Sequence, residues 1–219
     1  RDFRGRTTDG DWWCQLDADE IYIDDPRDFL SQVPSAYQLV WGASYNYFFT
    51  DIDYQKYIQD PALYADEVSV EKKCRYYLNN WSEARFFRYD RKLIWERDRR
   101  WPFVGAVYPV RIRLKHYQYR SPQQIQRRIE IRRKAISQGC ETFRHEAKSG
   151  TDWQRRISKP SLATSETSLL GDTSMGQEWK ERIVKAENLY FDNLDGNYVL
   201  REDLMPKIPR IPLLPPREI

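Results

Sequence analysis

Three acidic residues lie within four positions near the middle of the segment DWWCQLDADEIYIDD, which spans residues 11–25. Asp17, Asp19 and Glu20 follow an apolar run, and apolar residues resume at Ile21. A short apolar run bounded by polar residues is typical of a buried strand, so acids at its end repel one another and lose hydration. Mg²⁺ and Mn²⁺ offset such charge, because they take carboxylate oxygens and keep positions open for phosphate. The segment therefore predicts a divalent-metal site.

The strand period of two directs the carboxylates of Asp17 and Asp19 to one side and the small Ala18 to the other. The alternative interpretation is a solvated acidic strand end, which is the more common origin of an isolated D-x-D pattern. Two tryptophans directly before the acids, and apolar residues on both sides, favour the metal. A second D-x-D pattern, at residues 51–53, lacks an apolar strand end and is interpreted as a loop that leaves a strand.

Several strands and helices must position these acids. Aromatic and β-branched content predicts strands over residues 36–50, just after Glu83, and over residues 107–116. Cap and stop residues predict a short helix over residues 26–33 and a longer one between Ser121 and Gly139. Residues 54–78 are predicted to be a long connection with some helix at 60–72, and residues 178–190 have helical periodicity. The mixture indicates an α/β protein.

The composition, 40% hydrophobic and 32% charged over 219 residues, is that of a folded domain with a strongly charged surface. A net charge of +3 is too small to predict a polyanionic partner. Cys14, Cys74 and Cys140 lack disulfide or zinc spacing, which favours a reducing compartment, and we expect a cytoplasmic protein. Apolar runs fall short of the roughly 20 residues that span a bilayer, although peripheral association with a membrane is compatible with the sequence.

The string GDWWCQLDADEIYI resembles the D-W…L-D-A-D-E segment of family-two-like glycosyltransferases with a GT-A fold. The resemblance implies a partial GT-A fold, a Rossmann-like mixed sheet with flanking helices, as in nucleotide-diphospho-sugar transferases. In those enzymes the D-x-D carboxylates, here Asp17 and Asp19, hold the metal that carries the donor diphosphate. Glu20 is then expected beside the metal site or towards the acceptor, outside the set of ligands.

A second string, KHYQYRSPQQIQRRIEIRRKAISQG, is similar to the H-Y-x-Y-R-S segment after the last core strand of the same family. By that resemblance His116 completes the metal site. Arg120 and Ser121 would then lie at a helix N-terminus, where N–H groups and the helix dipole favour the donor diphosphate. His145 has no such support. A strand-end histidine without a ligand role is the alternative for His116.

Glu83 is the first candidate for the base that takes the acceptor proton, because NWSEARFFR resembles the family's E-x-R-x-F segment. A carboxylate suffices for this task when it reaches the hydroxyl group. Asp66 and Glu67 are weaker candidates. The alternative role of Glu83 is an ion pair with Arg85 or Arg88.

The resemblance implies a metal-dependent glycosyltransferase that moves a sugar from a nucleotide-diphosphate donor, a UDP-sugar most readily, to a glycan or lipid-linked acceptor. Inversion at the anomeric carbon, Mn²⁺ or Mg²⁺ as cofactor, and no nucleic-acid partner are expected. Two other classes stay open. One is a metal-dependent nuclease or phosphohydrolase, and the other is a non-catalytic nucleic-acid-binding module that uses the bases at 111–134 and the aromatic residues.

We expect residues 1–139 to form the C-terminal part of a GT-A domain, and residues 140–219 to form an extension with helical segments, a Ser/Thr-rich loop and a Pro-rich tail. In a GT-A fold the strands that hold the nucleotide base precede the D-x-D, and only ten residues precede Asp11. The expectation is therefore an N-terminally truncated chain, which lacks activity if that half is truly missing.

Overall fold

The computed structural model describes residues 7–93, 102, 105–140, 178–205 and 207–208. The strands are β1 (Trp12–Cys14), β2 (Glu20–Tyr22), β3 (Tyr37–Phe48), β4 (Tyr76–Arg88), β5 (Ala106–Val107), β6 (Ile112–His116) and β7 (Tyr190–Phe191). The α-helices are α1 (Pro26–Ser31), α2 (Asp51–Gln59), α3 (Val70–Lys73) and α4 (Pro122–Ser137). Short 3₁₀ helices cover Pro61–Tyr64, Glu178–Arg182, Ala186–Asn188 and Glu202–Leu204.

The strands form one mixed sheet in the order β1-β4-β3-β6-β2. β1 and β7 pair with β4, and β2 pairs with β6, all antiparallel. β5 pairs with β3 in the parallel sense. The predicted α/β class, a mixed sheet with accompanying helices, is therefore confirmed.

Contacts divide the chain into two units. The first comprises Arg1–Tyr45, Trp81–His116 and Arg201–Ile219. Its buried apolar residues form two clusters, Val33, Val40, Phe86 and Ile112 in one and Leu39, Phe87 and Val107 in the other. Half-buried tryptophans and tyrosines of β1, β2 and β3 pack around both clusters. This unit holds the acidic segment.

The second unit comprises Asn46–Asn80 and Tyr117–Leu200. Its interior is aromatic: the ring of Tyr47 stacks on Tyr117 at 4.5 Å, and its hydroxyl donates to the buried carboxylate of Asp192. Trp179 packs edge-on against Phe49. The described part of residues 178–191 is thus packed within this unit. The predicted domain boundary after residue 139 stays a prediction.

The most strongly signalled elements are confirmed. β3 and α1 lie within their predicted ranges. α4 begins with Ser121, whose hydroxyl oxygen accepts from the backbone N–H of Gln124, and Pro122 takes the first position. Gly139 follows the helix with a φ of +89°, a left-handed conformation that glycine adopts at low cost.

Two other expectations are wrong. The 51–53 pattern does not leave a strand as a loop but begins α2, because Thr50 and Asp53 cap the helix reciprocally. Residues 178–190 form two 3₁₀ turns and β7 instead of one helix. There Arg182, Val184 and Ala186 are buried at alternate positions, and Val184 bridges to Thr50 as a strand residue does. Tertiary pairing has overridden the helical periodicity.

Further expectations lie wholly or largely outside the described residues. These are the helical continuation over residues 140–159, the Ser/Thr-rich loop over 160–177, most of the Pro-rich tail, and His145. Within the described ranges, no helix is long and apolar enough to cross a membrane.

Candidate active site

The acidic segment does not continue β1 as a strand. β1 ends at Cys14, Leu16 is 64% exposed, and the N–H of Glu20 donates to the carbonyl of Asp17 at 3.2 Å across a turn. The turn is required because β1 and β2 occupy opposite ends of the strand order, so the chain must leave one edge to reach the other. The expectation that both carboxylates share one strand face is therefore wrong.

Asp17 and Glu20 instead converge on a buried arginine. Arg85 of β4 is 1% exposed. Its Nη1 lies 3.6 Å from Asp17 Oδ2, and its Nη2 contacts Glu20 Oε1 and lies 2.8 Å from Glu83 Oε1. Glu83 and Arg85 are two positions apart on β4, and strand alternation places them on one face. One guanidinium thus joins three carboxylates.

Glu83 therefore lies within β4, not before the strand as expected, and it makes the ion pair with Arg85 that was the alternative to a catalytic role. Its side chain is 28% exposed, whereas that of Glu20 is fully buried. The exposed fraction leaves Glu83 accessible to a substrate. Pairing with an arginine and contact with a substrate are compatible for this side chain.

Gly42 of β3 makes room for the arginine. A Cβ at this position would lie 2.8 Å from Arg85 Cγ and 3.0 Å from Leu114 Cδ2. The absence of a Cβ at Gly42 thus permits a close approach between β3 and the Arg85 side chain. This approach holds the methylene stem of Arg85 against β3, so the guanidinium has little freedom to move away from its carboxylates.

Burial raises the pKa of Glu20, whereas Arg85 and His116 lower that pKa and the neighbouring aspartates raise it. Its second oxygen, Oε2, is buried and has no hydrogen-bond partner among the described residues. Glu20 thus contacts the Arg85 guanidinium through Oε1, and its expected place outside a metal's ligand set stays a prediction.

Asp19 and His116 face each other. The antiparallel pairing of β2 and β6 sets Glu20 opposite His116. Asp19 directly precedes Glu20, and its Oδ2 lies 3.6 Å from His116 Nε2. Both side chains are about one-fifth exposed, at 21% and 18%. Two of the three predicted metal ligands are therefore adjacent, while Asp17 is turned to Arg85.

The described residues contain no group of three or more His, Cys, Asp or Glu side chains arranged to hold a metal ion. Mg²⁺ and related ions are nevertheless commonly held by one or two carboxylates, with substrate phosphates and water completing the coordination. Carboxylate oxygen suits Mg²⁺ and Mn²⁺, whereas imidazole nitrogen more typically binds Fe²⁺ or Zn²⁺. The carboxylate of Asp19 would therefore be the main protein ligand of Mn²⁺ or Mg²⁺, with His116 Nε2 as the adjacent nitrogen.

Arg120 and Ser121 belong to the second unit. Ser121 is 2% exposed and caps α4, and the backbone N–H of Arg120 donates to Gln124 Oε1 at 3.1 Å. A pocket of about 330 Å³ lies beside this cap, lined by Pro61, Ala62, Tyr64, Ala65, Asp66, Ser121 and Gln123. The roles of Arg120 and Ser121 towards a diphosphate stay predictions.

Sequence reasoning missed Arg85 as the organising residue of the site. The available signal was a charged residue between Ala84 and Phe86 in a strand that is otherwise largely apolar there. It also missed Arg113, whose guanidinium and backbone N–H both bind the carboxylate of Asp24 at 2.7–3.1 Å. That contact fixes the chain directly after β2.

Comparisons with known proteins add no identification. No protein-family model matches the chain. Neither a curated protein nor a solved structure gives a significant match.

Proposed function

We propose that the chain is a metal-dependent glycosyltransferase that uses a nucleotide-diphosphate sugar. The observation that carries the proposal is the pairing of Asp19 with His116, 3.6 Å apart, in the unit that also holds the partly exposed carboxylate of Glu83 on Arg85. This arrangement supplies a cation-binding pair and a proton acceptor within one unit. A metal-dependent, inverting sugar transfer uses both groups.

Asp19 and His116 would hold Mn²⁺ or Mg²⁺. The bound ion would supply positive charge for the diphosphate as the sugar leaves.

Glu83 would act as the base. The acceptor hydroxyl oxygen forms the new bond to the anomeric carbon, the bond from that carbon to the diphosphate oxygen breaks, and the hydroxyl proton passes to the carboxylate of Glu83. Arg85 orients that carboxylate through the 2.8 Å contact. Attack opposite to the departing diphosphate inverts the anomeric centre. The acceptor is proposed to be a glycan or a lipid-linked hydroxyl.

Thermal unfolding tests the proposal. Mn²⁺ together with UDP should raise the Tm of the protein, because a ligand that binds only the folded state stabilises it. Asp19→Ala should abolish this shift. Asp28→Ala, which alters an exposed carboxylate on α1, is the matched control and should retain it. If UDP, GDP and dTDP with either metal all leave Tm unchanged, the proposed function is wrong.

A further inference from the structure

We propose that Arg85 is a built-in cation: its guanidinium takes the place that a divalent ion would otherwise fill among Asp17, Glu20 and Glu83. The inference concerns the first unit alone and does not depend on the identity of any substrate. Its consequence, that Glu83 is positioned without an exchangeable ion, rests on the proposed function.

The charges around Arg85 call for a cation. Glu20 has a fully buried side chain, whereas those of Glu83 and Asp17 are 28% and 46% exposed. Adjacent carboxylates without a compensating charge repel one another, and burial of Glu20 adds the loss of its hydration. An arginine side chain always carries its charge, so it compensates them at every physiological pH.

The geometry also favours a fixed cation over an exchangeable one. The guanidinium contacts three carboxylates: Nη1 lies near that of Asp17, and Nη2 contacts those of Glu20 and Glu83. Its stem is held over Gly42, where even a Cβ would collide with it. A guanidinium held in this way positions side chains independently of the metal concentration.

The charge of Arg85 also affects the binding of metal ions nearby. A buried positive charge repels any cation that approaches the same carboxylates. Of the two D-x-D aspartates, Asp17 is therefore committed to Arg85, while Asp19 is left to pair with His116. Of Asp17, Asp19, Glu20 and Glu83, Asp19 is therefore the carboxylate left for a divalent ion.

Metal rescue tests the inference. We would introduce Arg85→Leu, which keeps an apolar stem and removes the guanidinium, into a His116→Gln background that weakens the Asp19–His116 pair. Mn²⁺ should then raise the Tm of the double variant far more than that of His116→Gln alone, because the vacated carboxylates gain a divalent ligand. Failure of the double variant to fold unless Mn²⁺ is present would give the same support.

A charge-matched control separates rescue from packing. Adding Glu20→Gln and Glu83→Gln to the double variant removes the two glutamate charges at similar volume, so Mn²⁺ should no longer raise Tm. If Mn²⁺ fails to stabilise the double variant, or stabilises the control equally, Arg85 is a packing residue and the inference is overturned. These experiments use metal alone, so loss of nucleotide binding would overturn the proposed function and leave the inference standing.

Discussion

Asp19 Oδ2 and His116 Nε2, which come from two distant motifs of the sequence, lie 3.6 Å apart. The register of β2 on β6, with Glu20 opposite His116, brings them together. Neither residue depends on the other for its local structure, since Asp19 lies in the turn before β2 and His116 ends β6. Their proximity is thus a tertiary property of the first unit, and the proposed metal-dependent function rests on it.

Removal of the buried guanidinium should be costly. Arg85→Met would leave Glu20 buried without its ionic partner, and we expect the free energy of unfolding to fall by about 3–5 kcal/mol. Urea unfolding monitored by tryptophan fluorescence measures this. Arg91→Met is the matched control, because Arg91 makes an exposed ion pair with Asp9 and should matter little. Equal effects of the two substitutions would contradict the role of Arg85.

Gly42→Ala should destabilise the first unit through a steric clash. The added methyl group would meet the stem of Arg85 and the side chain of Leu114, and overpacking of this kind costs about 1–3 kcal/mol. Chemical denaturation gives the value. In a Leu114→Ala background one of the two neighbours is shortened, so the cost of Gly42→Ala should be smaller. A substitution at Gly42 that costs nothing would show that β3 and β4 do not approach as described.

Asp53 should make stability fall as pH rises. Burial raises the pKa of this carboxyl above its ordinary value of 3.8, although the hydroxyl groups of Thr50 and Tyr64 donate hydrogen bonds to it. Between 3.8 and the higher folded-state pKa the folded chain therefore binds more protons than the unfolded chain. The free energy of unfolding of the wild type should thus decrease relative to that of Asp53→Asn as pH rises through this window.

Urea titrations at a series of pH values, from below 3.8 to neutrality, measure that difference. The exposed Asp60, which caps the next 3₁₀ helix, provides the control substitution Asp60→Asn. A difference between wild type and Asp53→Asn that stays constant or grows with pH would contradict the assignment.

The cysteines should differ sharply in reactivity. Burial raises the pKa of Cys74 to about 12, and its Sγ lies against the carbonyl oxygens of Tyr119 and Arg120. Because the thiolate is the reactive form, Cys74 should resist an aromatic disulfide reagent until the protein unfolds. Exposed Cys14 should react in the folded state, and Cys14→Ser should remove that phase. Peptide mass analysis identifies the labelled cysteine. If Cys74 is labelled as fast as Cys14 in the folded protein, the burial of Cys74 is contradicted.

Local signals predicted those elements that local chemistry determines. The cap at Ser121, the proline after it and the glycine at 139 specify α4 without reference to the rest of the chain. The aromatic and β-branched content of β3 likewise predicts a strand, since most of β3 is buried. Helix caps for α4 and residue composition for β3 were therefore sufficient to predict these two elements.

Elements that depend on tertiary pairing were not predictable in this way. The apolar residues before Asp17 indicated a buried strand that reaches the acids. β1 instead ends at Cys14, because the chain must cross from the edge strand β1 to β2 at the other end of the strand order. The convergence of Asp17, Glu20 and Glu83 on Arg85 depends on the order of strands in the sheet, which hydrophobic periodicity does not reveal. Asp19 and His116 were predicted to share a metal only through family resemblance; they lie 3.6 Å apart, and their role as metal ligands stays a prediction.

Metal-linked binding of a nucleoside diphosphate tests the central proposal most directly. Calorimetric titration of UDP into the protein should give measurable affinity with Mn²⁺, much weaker affinity with a chelator, and loss of the metal effect in Asp19→Asn. Asp28→Asn should behave as the wild type. If UDP, GDP and dTDP give no binding in the presence of Mn²⁺, or bind equally well with the metal removed, the assignment of Asp19 and His116 to a donor-binding metal site is contradicted.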